Sequence, residues 1–350
     1  MRVLVVTSSP PFVEGGHLVI ARELVRACRA EGHTADLVVT PQNRFGRQGA
    51  AYLAAWLTDV GVAADGAPVD RVISLRYPAF AVRHPHHACW LNHTMREYYD
   101  LWPRFSASLS WKNRIKEGVR RALVHAADRR CFARMDARFA ISSTVQTRLA
   151  QHGIASDVLL PPPPVRQYRC DAYGDFIFAV SRLTPLKRFD LLLSAMALPV
   201  ARQVRLVVGG EGDAREALEA QARRLGLEGR VTFTGRLSDE ALVDHYARCR
   251  AVAFVPFDED YGFVTAEAFA SGKAVLTCRD SGGPTELVQD GVSGRIVEPT
   301  ADAVAGALAE LMGDAARAET MGVRARARVA SLTWPATVAR LLDSGTASRG

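Results

Sequence analysis

Glu259 and Glu267 stand eight residues apart in Phe257-Asp258-Glu259-Asp260-Tyr261-Gly262-Phe263-Val264-Thr265-Ala266-Glu267-Ala268-Phe269-Ala270-Ser271-Gly272-Lys273. The apolar runs on either side, Ala251-Val252-Ala253-Phe254-Val255-Pro256 and Ala274-Val275-Leu276-Thr277-Cys278, read as buried parallel strands. The stretch is therefore a strand-loop-helix unit. Glu259 lies on the loop at the carboxyl end of the first strand, and Gly262, Phe263 and Val264 open a helix whose first amide groups have no helical acceptor. Such donors hold hydroxyls or phosphates. Glu267 falls about one turn into the helix, so both carboxylates can face one crevice. Carboxylates that accept from hydroxyls, beside amides that bind phosphate, suit a sugar nucleotide.

Cations of matching purpose stand elsewhere in the same half. The strand Phe176-Ile177-Phe178-Ala179-Val180 runs into Ser181-Arg182-Leu183-Thr184-Pro185-Leu186-Lys187-Arg188. Arg182 and Lys187, on the loop and the incoming helix, can converge on one diphosphate. Glycine turns recur at strand ends. Gly15 and Gly16 close the loop after Val3–Val6 and open a helix over His17–Glu31, where the backbone can approach an anion. Gly209-Gly210-Glu211-Gly212 follows the strand from Val204, Gly235-Arg236 follows the strand from Val231, and Gly282-Gly283 precedes a helix as a second diphosphate cradle. Cys89-Trp90-Leu91-Asn92-His93-Thr94-Met95-Arg96 begins as a strand, which puts His93 at a carboxyl end, where open α/β sheets hold ligands.

The spacing of Glu259 and Glu267, with Tyr261-Gly262-Phe263 and Ala268–Lys273 around it, resembles the E-x7-E signature of the retaining glycosyltransferases of family 4 (GT4). The resemblance covers nearly the whole chain, strongly after Phe176 and more weakly before it. It implies an α/β, GT-B architecture: two Rossmann-like domains with parallel sheets facing each other across a cleft, and a C-terminal helix crossing back to the first. Pro161-Pro162-Pro163-Pro164 excludes helix and central strand. It divides an acceptor-side domain over 1–164 from a nucleotide-sugar domain over 165–330, with the crossover helix and tail over 331–350.

The roles that follow are those of the family. Glu259 contacts the donor sugar, Glu267 takes the two ribose hydroxyls, and Arg182 and Lys187 neutralise the leaving nucleotide. His93 contacts the sugar near its reacting carbon. Gly15 and Gly16 lie opposite the donor diphosphate, and Gly235 and Arg236 lie against the nucleobase through main-chain groups. Gly262, Phe263, Val264, Gly282 and Gly283 complete the donor site. Two departures stand out: the Pro of the family's His-Thr-(Pro)-x-Arg stretch is absent, and Ser181 and Arg188 replace the two glycines of Gly-Arg-Leu-x-x-x-Lys-Gly. The expected reaction moves a sugar from a UDP- or GDP-linked donor to a hydroxyl acceptor with retention, without metal or other cofactor. An epimerase or hydrolase of the same fold, or a non-catalytic nucleotide-sugar-binding partner, are the alternatives. Asp258-Glu259-Asp260 formally matches the metal-binding D-x-D motif, but cations already stand where a metal would act.

Composition narrows the classes further. At 350 residues and 48% hydrophobic, the chain can build two cores and is neither disordered nor fibrous. Met1-Arg2 leads directly into a strand and no run spans a bilayer, so a cytoplasmic address is expected, or a peripheral one at the inner face of the membrane. Six scattered cysteines without a C-x-x-C pair indicate neither zinc nor a disulfide framework. His84, His86 and His87 read as an exposed loop broken by Pro85. Residues 101–150 hold eleven Lys and Arg against three Asp and Glu, which accounts for the whole net charge of +7. Within 109–130, Trp111, Ile115, Val119 and Leu123 recur near helical spacing with Lys and Arg between them. That helix either lies on an anionic membrane surface or packs on its domain with a solvated basic face. No recognition motif accompanies the charge, so nucleic acid is not expected.

Overall fold

The computed structural model describes residues 1–12, 15–42 and 45–343. Val13 and Glu14 of the first glycine loop, and the tail beyond Asp343, lie outside the described residues. The chain divides into two compact units, one of Met1–Pro161 together with the segment from Thr333, the other of Pro162–Leu332.

The first unit is a six-stranded sheet in the order β2-β1-β3-β4-β5-β6, built from β1 (Arg2–Ser9), β2 (Thr34–Pro41), β3 (Arg71–Ser74), β4 (His87–Leu91), β5 (Ala137–Ala140) and β6 (Asp157–Val158). Every pairing is parallel. Parallel neighbours need crossovers, and α1 (Gly16–Ala30), α2 (Gln48–Leu57), α3 (Trp102–Ala107), α4 (Trp111–Phe132) and α5 (Ser143–Ala150) lie along them. α1 buries Leu18, Ala21, Leu24, Val25 and Cys28 at helical spacing, and Gly32 at φ +82° ends it. Ser142 Oγ accepts from the Val145 amide at 3.1 Å, the hydroxyl cap expected before α5.

The second unit repeats the plan in the order β12-β11-β10-β7-β8-β9, again wholly parallel. Its strands are β7 (Ile177–Val180), β8 (Leu206–Gly209), β9 (Val231–Gly235), β10 (Ala251–Ala253), β11 (Val275–Cys278) and β12 (Gly294–Val297). The helices are α6 (Phe189–Met196), α7 (Arg215–Arg224), α8 (Asp239–Arg248), α9 (Phe263–Ala270), α10 (Pro284–Leu287), α11 (Ala301–Gly313) and α12 (Ala315–Val329). Ile177, Leu206, Ala253 and Leu276 of the sheet meet Leu192, Leu193 and Met196 of α6 and Val304, Leu308 and Leu311 of α11 in one core. Each buried Ile, Leu, Val or Met among them contributes about 1.5–3 kcal/mol. α13 (Trp334–Asp343) packs in the first unit, where its Trp334 meets Trp90 edge-on at 6.3 Å and Arg340 lies over the Phe139 ring at 5.5 Å. The α/β class expected from the sequence, with a parallel sheet in each of two units, is the one observed.

Two sequence expectations change. His87 is not in an exposed loop: it opens β4, is buried, and its Nε2 lies 2.8 Å from Ser74 Oγ. Burial disfavours the imidazolium and holds its pKa down at about 3. The second concerns α4, which does not pack through its apolar stripe. Trp111, Ile115, Val119 and Leu123 are 58–68% exposed, while Glu117, Val124, Asp128 and Phe132 face inward. At about 100° per residue the two sets centre on opposite sides of the helix. The buried carboxylates are the anchors. Glu117 accepts from Tyr98 at 2.5 Å and pairs with Arg120 at 2.6 Å, and Asp128 accepts from Tyr99 at 2.5 Å and from Tyr52. Arg121 donates to the Tyr98 carbonyl at 2.7 Å.

Candidate donor-binding site

In the second sheet the chain leaves β7 toward β8 on one side and returns to pair β10 on the other. The loops after β7 and β10 therefore diverge at a topological switch point, where doubly wound sheets bind ligands outside the strands' carboxyl ends. These loops carry Arg182 and Lys187, and Glu259. The Lys187 ammonium pairs directly with the Glu259 carboxylate, and Nζ also lies 5.6 Å from the centre of the Phe254 ring. Both side chains are only partly buried. An ammonium has three donor directions, so Lys187 can hold Glu259 and a phosphate oxygen together. Arg182 is exposed, and among the described residues its guanidinium makes no ion pair.

Glu259 is placed by a tightly fitted backbone. Its amide donates to the Ser281 carbonyl at 2.9 Å and its carbonyl accepts from the Gly283 amide at 2.9 Å. A Cβ on Gly282, at φ +71°, would stand 2.5 Å from the Glu259 carbonyl oxygen, and one on Gly283 would stand 2.5 Å from Tyr261 Cα. These glycines are thus needed for the approach of one loop to another. The Gly283 amide, expected to help cradle a diphosphate, is engaged with Glu259. Gly262, at φ +81°, caps α9 from a position where a Cβ would meet the Phe254 ring at 2.6 Å. Behind it the amides of Phe263 and Val264 precede the first helical acceptor and form the anion-attracting end of α9.

Glu267 has partners of its own, Arg166 and Tyr246. It is buried on α9, its Oε1 accepting from Arg166 Nη1 at 2.7 Å and its Oε2 from the Tyr246 hydroxyl at 2.9 Å. Burial pushes its pKa up, with Arg166 and the Tyr246 hydroxyl acting the other way. Gly235, at φ +72°, ends β9, and its carbonyl accepts from Gly210 at 2.8 Å; Arg236 beside it is exposed.

The remaining candidates belong to the first unit. Gly15 is the N-cap of α1 with extended backbone, accepts from Leu18 at 3.0 Å, and precedes Gly16 in the first turn. His93 lies two residues beyond β4, half-buried, with Nδ1 2.7 Å from the Thr94 carbonyl oxygen.

Residues 168–328 match the family model of glycosyl transferases group 1. The D-inositol 3-phosphate glycosyltransferase of Nocardia farcinica is 38% identical over 189 residues, 51% of this chain and 42% of that protein. The GDP-mannose-dependent alpha-(1-6)-phosphatidylinositol monomannoside mannosyltransferase of Mycolicibacterium smegmatis is 34% identical over 182 residues, 47% of each chain. The chain spans about half the length of these curated relatives. Among solved structures, Anabaena HepE in complex with UDP and glucose superposes with a TM-score of 0.71 at 22% identity, covering 97% of this chain and 99% of that one. Sucrose-phosphate synthase from Thermosynechococcus elongatus reaches 0.74 at 18% identity, with 97% of each chain covered. At such identities the likeness shows the fold.

The group 1 segment holds Arg182, Lys187, Glu259 and Glu267. Motif reading missed two residues around them. Arg188, where the resemblance expects glycine, adopts φ +51°. Its guanidinium grips Asp280 through two bonds of 2.8 and 2.7 Å and donates to the Val255 and Pro256 carbonyls at 2.8 and 2.7 Å. That clamp ties the loop after β7 to the end of β10, and it offsets a left-handed backbone that non-glycine residues adopt at a cost. The other, Arg166, precedes the matched segment and comes from the Pro-rich stretch, where no local signal marks it.

Proposed function

We propose that the protein transfers a sugar from a nucleoside-diphosphate donor, UDP- or GDP-linked, to a hydroxyl acceptor with retention of configuration. The observation that carries this reading is the Lys187–Glu259 pair at the switch point of the second sheet, beside the free amide end of α9. A departing diphosphate needs positive charge, which Lys187, Arg182 and the Phe263 and Val264 amides supply. A sugar of oxocarbenium character needs orientation, which Glu259 provides as acceptor for its hydroxyls. Glu267 takes the ribose hydroxyls.

In the proposed step the acceptor oxygen bonds to the anomeric carbon on the face from which the diphosphate departs. The carbon–oxygen bond to phosphate breaks, and the acceptor proton passes to a phosphate oxygen of the leaving group. Cationic side chains take the part a metal plays elsewhere, so the reaction runs without one. The test is incubation with UDP- and GDP-sugars, with and without alcohol acceptors. Glycoside formed only when an acceptor is present supports transfer, whereas isomerised or hydrolysed sugar from donor alone moves the assignment to an epimerase or hydrolase.

A peripheral contact of 109–130 with an anionic membrane belongs to the same reading. Its support is the outward apolar stripe of α4, whose exposed charges are all cationic: Lys112, Arg114, Lys116, Arg129 and Arg130. The only acids of the helix, Glu117 and Asp128, are buried. Among the described residues no helix is long and apolar enough to cross a membrane.

A further inference from the structure

The arrangement around Glu267 raises a question of orientation. A carboxylate that must accept two ribose hydroxyls has to be ionised and held with free lone pairs outward, yet this one is 7% exposed, in surroundings that oppose its charge. We propose that Arg166 is a positioning residue for the donor's ribose, acting through Glu267. The inference rests on Glu267 being the ribose acceptor.

Arg166 reaches Glu267 from 101 residues away in sequence and is itself largely buried. Its Nη1 donates to Glu267 Oε1 at 2.7 Å and to the Tyr168 hydroxyl at 3.2 Å. Its Nη2 donates to Asp239 Oδ1, in the exposed first turn of α8, at 2.9 Å. The guanidinium is thus fixed at both ends, with Glu267 between it and the Tyr246 hydroxyl. One donor occupies each carboxylate oxygen. About two further lone-pair directions remain, the number that a vicinal diol requires. Arg166 keeps the acid ionised and Tyr246 fixes its rotation.

The groups that face Glu267 are Arg166, Tyr168, Tyr246 and Asp239, and of these Arg166 alone carries positive charge. Its removal leaves burial, Asp239 and the phenols. Burial then raises the Glu267 pKa further, and the carboxyl takes up its proton at higher pH. A protonated carboxyl loses acceptor capacity, so nucleotide affinity in such a variant falls as pH drops, and the fall begins at higher pH than in the wild type.

The test is calorimetric titration of the full chain with UDP, GDP and 2′,3′-dideoxy-UDP, using Arg166→Met, Arg166→Gln, Arg166→Lys and Glu267→Gln. Arg166→Met and Arg166→Gln should each weaken UDP and GDP about tenfold or more, the loss of a charge-assisted bond. They should leave the dideoxy nucleotide unchanged and displace the pH profile of UDP affinity upward, while Arg166→Lys restores the profile. Equal losses for UDP and its dideoxy form, with an unmoved profile, would show a structural ion pair only and overturn the proposal. Should Arg166→Met fail to fold, the contrast between Gln and Lys decides on the same readouts. Glu267→Gln separates the two levels. If it binds UDP like the wild type, the ribose assignment itself is wrong, and if it loses UDP selectively while the Arg166 variants do not, only the role of Arg166 fails.

Discussion

Replacing Lys112, Arg114, Lys116, Arg129 and Arg130 with Gln should reduce binding of this protein to anionic vesicles to the residual level that its apolar stripe supports. These five are the exposed charges of α4, and they flank or follow the outward stripe of Trp111, Ile115, Val119 and Leu123. Arg120 and Arg121 are left in place because they anchor the helix through Glu117 and the Tyr98 carbonyl. Each cation near an anionic surface contributes on the order of 1 kcal/mol, roughly 5 kcal/mol for the set. Full insertion of the four apolar side chains would add about 1.5–3 kcal/mol each. The two terms separate by salt. The Debye length shrinks from about 8 Å at physiological ionic strength to about 3 Å at 1 M, which removes the charge term and spares the apolar one. Sedimentation with vesicles of phosphatidylserine and phosphatidylcholine should therefore fall in salt to a residual level for the wild type. A variant with Ser at the four apolar positions should fall to none. A wild-type protein that stays in the supernatant with anionic vesicles at low salt refutes the reasoning, as does a five-Gln variant that sediments as fully as the wild type at low salt.

Two further outcomes follow from buried or paired groups. Glu259→Ala and Lys187→Ala should each lower turnover, and their effects should be less than additive because each leaves the other's charge without its partner; about 1.5–3 kcal/mol rides on each charge-assisted bond. Additive losses in a double-mutant cycle of kcat/KM would show that the pair acts as two separate sites. Asp128 is fully buried and desolvation holds its pKa up at about 7, against an ordinary 3.8, while bonds from Tyr52 and Tyr99 act in the opposite direction. The folded state therefore holds a proton that the unfolded state has released, and the stability this gives is complete below the unfolded pKa and is lost as pH rises through about 7. Subtracting the melting-temperature profile of Asp128→Asn from that of the wild type should isolate this slope; a flat difference contradicts it.

Much of the second unit was legible because its signals are local. Short apolar runs bounded by glycine turns mark parallel strands, and the loop from Phe257 and the helix it opens lie where hydrophobic pattern and turn chemistry agree. The boundary near Pro161 follows from proline's missing donor. What sequence could not carry was pairing at a distance. Nothing near Arg166 says that it meets Glu267, and nothing near Arg188 says that Asp280 and two carbonyls await it. Glycines at 282 and 283 look like phosphate turns, yet the space they leave is filled by the backbone of Glu259–Tyr261. α4 misled for the opposite reason. Its apolar period is real, but the inward face is chosen by Tyr52, Tyr98 and Tyr99, whose hydroxyls satisfy Glu117 and Asp128, and those tyrosines lie on other segments.

The central claim, retaining transfer from a nucleotide sugar, is tested most directly by following the anomeric proton of the product by NMR. The protein is incubated with an α-linked UDP- or GDP-sugar and an alcohol acceptor in excess EDTA. The account predicts an α-glycoside, formed at an undiminished rate in EDTA and more slowly in Glu259→Ala. A β-glycoside, or activity that vanishes in EDTA and returns with manganese, would contradict it.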